Sequence, residues 1–166
     1  MGSNQGDRLA NLRLARERLG ALPDAFLAGA SPVYETEPWG EADQTTFFNQ
    51  VVALTLGDSW SPKRLLQALL ANETLLGRVR DPARPNGPRT MDCDLLLYGD
   101  VRLEEPELTV PHPRLRQRPF VLVPLADLAP ELAIPDGQGG SVALALAEMP
   151  SNQGGNIVGA IEASAR

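Results

Sequence analysis

The stretch "GPRTMDCDLLLYGD" (residues 87–100) sets two carboxylates one residue apart at the mouth of a leucine run, with an arginine just ahead of them. In an extended backbone residues i and i+2 point to the same side, about 7 Å apart, so Asp92 and Asp94 share one face. Met91, Cys93 and Leu95 take the other face, and the run reads as a strand that ends in the Gly99-Asp100 turn. Two anions side by side on a strand anchored by "LLLY" need a compensating cation, because desolvation makes a like-charge pair still less tolerable. All-oxygen ligation suits Mg²⁺, which commonly takes one or two protein carboxylates and completes its shell with water and substrate phosphates. The preceding segment "RVRDPARPNGPR" (78–89) is an irregular loop by its prolines and glycine, and it carries Arg78, Arg80, Arg84 and Arg89. Guanidinium forks bind phosphate bidentately, so metal and arginines together point to metal-assisted phosphoryl transfer on a polyphosphate. No Gly-rich loop of the Walker type is present. Spacing alone equally allows two surface carboxylates paired with arginines of a solvated loop.

Outward from this stretch, "VRLEEPELTVPHP" (101–113) reads as strand, turn and strand. Upstream, "SPKRLLQALLANETLLG" (61–77) is a helix with Ser61 as cap and Pro62 at its first position. Leu65, Leu66, Leu69 and Leu76 are its apolar positions, and Gly77 ends it. "FFNQVVALTLG" (47–57) reads as one β-branched and aromatic strand containing Asn49. Asp7 followed by "RLANLRLARERLGAL" predicts a capped helix with Leu9, Leu12, Leu19 and Leu22 on one face and Pro23 as its stop. "RPFVLVPLADLAPEL" (118–132) fits a helix or a strand, and the part after Ser141 is weakly patterned. Strands mixed with helices and hairpin neighbours predict an α/β sandwich of the α+β kind, as a single domain over residues 1–166.

The chain has 166 residues, 43% of them hydrophobic, a formal net charge of -6 and a pI near 4.8. An acidic chain of this kind argues against general nucleic-acid or anionic-membrane binding, so an anionic ligand must be met locally. No apolar stretch approaches the roughly 18 to 20 residues of a membrane span, and the start lacks a secretory apolar core, which predicts a cytoplasmic protein. One cysteine, Cys93, and one histidine, His112, form neither an internal disulfide nor a zinc site of the usual Cys/His kind.

"GRVRDPARPNGPRTMDCDLLLYGD" followed by "LTVPHPRLRQRPFVLVPLADLAPEL" closely resembles the 6-hydroxymethyl-7,8-dihydropterin pyrophosphokinase family. The likeness extends upstream through "FFNQVVALTL" and "SPVYETEPWG" to "GSN" at residues 2–4, so it covers about residues 2–137. The resemblance implies a ferredoxin-like α/β sandwich with a mainly antiparallel sheet. It also implies transfer of pyrophosphate from ATP to the hydroxymethyl group of the reduced pterin, releasing AMP, in folate synthesis. Two Mg²⁺ ions are implied, with Asp92 and Asp94 as their ligands. Arg78 and Arg89 match arginines on the triphosphate, and Glu73, His112 and Arg118 match positions near the nucleotide. For the pterin, Asn49 matches the side chain that reads the ring's polar edge. Thr36 and Trp39 match backbone contacts, and Phe47 and Phe120 match the aromatics on its two faces. A flat heterocycle with donors and acceptors calls for such aromatic faces and for an amide that can both donate and accept. The expected partners are these two substrates, with neither nucleic acid nor membrane, and the chain is expected to be a monomer or weak dimer. A binding module without turnover and a Mg²⁺-dependent phosphohydrolase remain open on the residues alone.

Three departures stand out. Family members ordinarily carry an apolar strand just before "GSN", whereas Met1 precedes Gly2 here, so the sheet is expected to lack its usual first N-terminal strand. "GNIVGAIEA" (155–163) is apolar enough to be a candidate for that place. Pro85 and Cys93 stand where a basic residue and an aliphatic one are usual.

Overall fold

A computed structural model of the chain describes residues 1–41, 43–150 and 154–161. The first strand, β1, is only Gly2–Ser3. Asp7 then caps helix α1 (Arg8–Gly20), its carboxylate accepting from the Ala10 N–H at 3.0 Å. The buried face of α1 is Leu12, Ala15 and Leu19; Leu9, expected on that face, is exposed. Strands β2 (Ala25–Ala30) and β3 (Val33–Thr36) follow.

The expected single strand over 47–57 is two strands, β4 (Phe47–Asn49) and β5 (Val52–Leu56). The break has a local cause. Across from it the chain carries Ser31-Pro32, and a proline cannot donate to a ladder. The Ser31 hydroxyl accepts from the Val51 N–H at 3.1 Å, and the Gln50 side chain donates to the Ser31 carbonyl at 2.8 Å. Helix α2 (Pro62–Leu75) is built as expected, with the Ser61 hydroxyl accepting from Arg64 N–H at 3.2 Å. Gly77 follows it at φ +79°, which a side chain rarely adopts.

The expected strand from Met91 is extended, but the only ladder contact described along it is one bridge, where Gly2 and Asp92 exchange backbone hydrogen bonds of 2.8 Å. A ladder needs a partner along its length, and β1 is two residues long. The alternation survives: Met91, Cys93 and Leu95 are buried, whereas Asp92 and Asp94 lie on the open side. Hairpin β6 (Leu103–Glu105) and β7 (Leu108–Val110) forms as expected. The ambiguous stretch is helix α3 (Pro119–Leu128), which buries Val121, Leu122 and Leu125.

The weakly patterned end holds helix α4 (Val142–Ala147), capped by Ser141, and strand β8 (Ile157–Ile161). Among the described residues three antiparallel sheets result: β1-β4-β3-β8, β2-β5 and β6-β7. Strand β8 pairs with the outer edge of β3 and so does not stand beside β1, contrary to the place considered for residues 155–163. Glu162 and Ala163 of that stretch lie outside the described residues. An apolar groove of about 400 Å³ runs instead from Met1 between Val51–Leu56 and Cys93–Tyr98.

Two apolar clusters sandwich the strands. On one side α1 and α2 pack Leu12, Leu19, Leu65 and Leu69 against Met91, Cys93 and Leu95. On the other, α3 and α4 gather Leu122, Leu125 and Val142 around Val51 and Leu115. The architecture is thus mixed α+β with antiparallel pairing. Among the described residues no helix is long and apolar enough to cross a membrane.

Candidate active site

Two cavities meet at Asp92 and Asp94. One, of about 40 Å³, is lined by Thr36, Trp39, Phe47, Asn49 and Phe120 on its far walls. The other, of about 310 Å³, opens between α2 and β7 and has Glu73, Arg80 and His112 along it. Asp92 and Asp94 belong to the walls of both.

The carboxylates are met by Arg78 and Arg89 of the loop and by Arg118. Asp92 accepts from Arg78 and, at 3.0 Å, pairs with Arg89. Burial alone would push its carboxyl up; Arg89 and Arg78 outweigh that and hold it below the ordinary carboxylate value. Asp94 accepts from Arg118 at 2.7 Å, and the His112 ring stands 3.9 Å away. His112 Nδ1 accepts from the Arg114 N–H at 3.0 Å, and its Nε2 lies 3.4 Å from Arg118 Nη1. Burial lowers the imidazole pKa from its ordinary value, the Arg118 and Arg114 charges add to that, and the ring is neutral near pH 7.

Glu73 holds this frame from below. It is 2% exposed and accepts three bonds: from Cys93 N–H at 2.8 Å, Arg78 at 2.7 Å and Arg80 at 2.5 Å. Its carboxylate thereby ties the end of α2 to the arginine loop and to the aspartate segment. Arg84, by contrast, pairs with Glu41 on the neighbouring loop rather than with either aspartate. The side-chain Nε atoms of Arg89 and Arg118 are buried donors with no partner among the described residues.

In the smaller cavity Asn49 is buried and donates to the Thr36 hydroxyl at 2.7 Å. The Arg89 guanidinium lies 5.1 Å from the Phe47 ring centre, and that of Arg118 lies 5.1 Å from Trp39 and 5.5 Å from Phe120. Apart from Arg84, the residues expected at the site from the sequence line one of the two cavities or hold a residue that does.

The reading from sequence assigned no roles to two residues of "GSN". A Cβ on Gly2 would stand 2.5 Å from Asn49 Oδ1, so only glycine leaves the amide where it is. Asn4 accepts from the Arg89 N–H at 2.7 Å and donates to Gln44 Oε1 at 3.1 Å, bracing the arginine loop and the loop before β4. The "GSN" triplet itself was the available signal, but roles of this kind rest on contacts across 40 to 85 positions of sequence.

Comparison with known proteins agrees with this geometry. The family described as "7,8-dihydro-6-hydroxymethylpterin-pyrophosphokinase (HPPK)" matches residues 1–130. A 2-amino-4-hydroxy-6-hydroxymethyldihydropteridine pyrophosphokinase of Pseudomonas aeruginosa is 45% identical over 138 residues, 83% of this chain and 83% of its own length. The enzyme of the same name from Methylorubrum extorquens is 43% identical over 134 residues, 81% of this chain and 82% of its own length. The Schizosaccharomyces pombe folic acid synthesis protein fol1 is 38% identical over 134 residues, 81% of this chain but 18% of that longer protein. With two carboxylates, their arginines and an aromatic-lined cavity in one place, and with a family match over most of its length, the chain belongs to the 7,8-dihydro-6-hydroxymethylpterin-pyrophosphokinase family.

Proposed function

We propose that the chain transfers pyrophosphate from ATP to 6-hydroxymethyl-7,8-dihydropterin, with the pterin ring in the smaller cavity and the nucleotide in the larger one. The observation that carries this is the position of Asp92 and Asp94 in the walls of both cavities, where a hydroxymethyl group and a triphosphate would meet. Family membership makes the activity pyrophosphokinase activity of folate synthesis. The assignment of roles to residues is our own.

Asp92 and Asp94 fit Mg²⁺ by the chemistry of their donor set. Both offer carboxylate oxygens to the cleft, and no cluster of three or more His, Cys, Asp or Glu forms among the described residues. The protein would supply carboxylates only, leaving the rest of the shell to water and phosphate. Two Mg²⁺ ions bound there would neutralise charge on the triphosphate. Arg78, Arg89 and Arg118 bind phosphate oxygens, and the Nε donors of Arg89 and Arg118 have no partner among the described residues. Phe47 and Phe120 hold the ring by its faces, Asn49 reads its amide and amine edge, and Thr36 and Trp39 bound it. His112 and Glu73 complete the nucleotide side, Glu73 by holding Arg78 and Arg80. The pterin hydroxyl oxygen attacks the β-phosphorus, the bond to the α-phosphate bridging oxygen breaks, and AMP leaves. The hydroxyl proton passes to a phosphate oxygen or to water. Catalysis rests on positioning and charge neutralisation.

The finer fold assignment is a ferredoxin-like sandwich in which the apolar groove beside Met1 holds the place of the family's usual first strand. The register supports it: Gly2 lies opposite Asn49 on one side and Asp92 on the other, so an extended segment continuing β1 upstream meets Val51–Leu56 and Asp94–Tyr98. We further assign a cytoplasmic protein that is a monomer or weak dimer.

The test is AMP release from MgATP with and without the pterin, by the chain as it stands and with an apolar strand of about five residues added upstream of Met1. Pterin-dependent AMP in either form supports the function, and a large gain on extension supports the groove assignment. Phosphate release that ignores the pterin would sink the assignment in favour of a hydrolase. Asp94→Ala should abolish turnover while leaving pterin binding intact; equal loss of both argues against the metal role.

A further inference from the structure

The last described segment of the chain returns along the back of the smaller cavity. Strand β8 runs beside β3, with Ile157 opposite Thr36 and Gly159 opposite Glu35. Just before it, Gly154 and Gly155 take φ of +71° and +64°. Gly155 is buried, and a Cβ there would stand 2.6 Å from the Phe120 ring and 3.3 Å from Trp39 Cβ. Its bare backbone therefore supports both aromatics from behind. Asn156 fastens the same segment to the strand end that carries Trp39. Its carbonyl accepts from the Glu37 N–H at 2.9 Å, and its amide donates to the Glu37 carboxylate at 2.9 Å.

The front of the two aromatics is held as well, since the Arg118 guanidinium lies 5.1 Å from Trp39 and 5.5 Å from Phe120. The cavity between them measures about 40 Å³. Ligand pockets run from roughly 300 Å³ upward, so a bicyclic ring enters only with movement of the cavity's walls, of which Trp39 and Phe120 are two. Both of them rest on Gly155.

We propose that Gly155 and Asn156 form a positioning strap for the ring-binding cavity. The strap sets the spacing between Phe120 and the Thr36–Trp39 edge, and with it the fit of a flat heterocycle. This inference rests on the smaller cavity being the pterin site. Gly155 meets Phe120 and Trp39 directly and reaches the nucleotide side only through the Arg118 guanidinium packed on them, so the strap acts first on the pterin and far less on ATP.

The experiment uses the full chain and measures pterin affinity by calorimetric titration, together with KM for pterin and for ATP and the melting temperature. Gly155→Ala pushes its Cβ into Phe120 and should weaken pterin binding and raise its KM at least about tenfold, while KM for ATP holds within about twofold. Gly154→Ala is the control. It carries the same left-handed strain, but its Cβ meets only Trp39 Cδ1 at 3.6 Å, an ordinary contact, so neither KM should move. Asn156→Asp sets a carboxylate against Glu37 and should weaken the pterin selectively; adding Glu37→Gln restores a donor and should rescue it.

Equal effects of Gly154→Ala and Gly155→Ala, a parallel rise in KM for ATP, or failure of the rescue would each overturn the strap. If the unaltered chain binds pterin but forms no AMP, the pyrophosphokinase assignment falls while the affinity ratios still decide the strap. If it binds no pterin, both fall.

Discussion

Replacing Glu73 with alanine should unfold the frame of the site before it reaches the chemistry. Glu73 is 2% exposed and accepts from Cys93 N–H, Arg78 and Arg80. Its loss leaves the buried Arg78 with Asp92 alone and the Cys93 N–H without an acceptor. Breaking a buried ion pair outright costs about 3 to 5 kcal/mol, and Arg78, which keeps Asp92, lies at or below the lower end of that range. The orphaned amide adds to this, while Arg80, whose side chain is 61% exposed, adds little. These terms overlap, and about 4 kcal/mol is the expected total, close to the lower bound of roughly 5 to 15 kcal/mol for a whole domain. For a chain of this size that is a fall in Tm of about 10 °C.

Glu73→Gln keeps an acceptor without burying a charge and should cost about 1 to 2 kcal/mol. Its pH dependence has a definite sign. Burial raises the Glu73 pKa from its ordinary 4.5, and the Cys93 N–H and Arg78 only partly oppose that. A carboxyl whose folded pKa is raised contributes stability that is full below the unfolded value and is lost as pH rises through the folded one. The glutamine variant should therefore close part of its deficit against the unaltered chain as pH rises above about 4.5. Urea unfolding with unchanged m, followed across pH, reads both quantities, and AMP release should fall at least about a hundredfold because Arg78 and Asp92 shift together. An alanine variant that loses less than about 1 kcal/mol, or keeps its turnover, would refute the account of Glu73 as the support of the site.

Gly2→Ala should drive the Asn49 amide from its place, since its Cβ would come within 2.5 Å of Asn49 Oδ1; a raised KM for pterin with an unchanged KM for ATP is the expected signature. Cys93 is 5% exposed, and burial pushes its thiol up to about 12, so native protein at pH 8 should resist disulfide reagents that label it at once in denaturant. Stoichiometric labelling of the native chain within minutes would contradict that burial. Chelation of divalent cations should abolish AMP release, and Mg²⁺ should restore it. The melting temperature of the free protein should move by no more than about 2 °C, because Arg78, Arg89 and Arg118 already balance Asp92 and Asp94.

The features legible in the order of residues are those set by neighbours along the chain. Asp7 and Ser61 cap helices through amides three residues away, Gly77 ends α2 with the positive φ that glycine tolerates, and the prolines of 78–89 exclude regular structure. The alternation that separates Asp92 and Asp94 from Met91, Cys93 and Leu95 is likewise local, and it holds although the ladder does not continue. The rest depends on contacts between distant parts of the chain. The stretch 118–132 is apolar in either period, and packing against α4 and Val51 makes it a helix. The strand over 47–57 breaks where Ser31 and Pro32 lie across from it, and the Gln50 side chain and Val51 N–H bond to Ser31 there. Arg84 turns to Glu41 while Arg118 reaches Asp94, a choice that no spacing along the chain encodes. Gly155 behind Phe120 is the extreme case, since a glycine carries no side chain whose chemistry signals a partner. Caps and turns are closed by atoms a few bonds away and so are written in short words of sequence. A site is closed by loops that meet across the fold, and its geometry exists only once the core has brought them together.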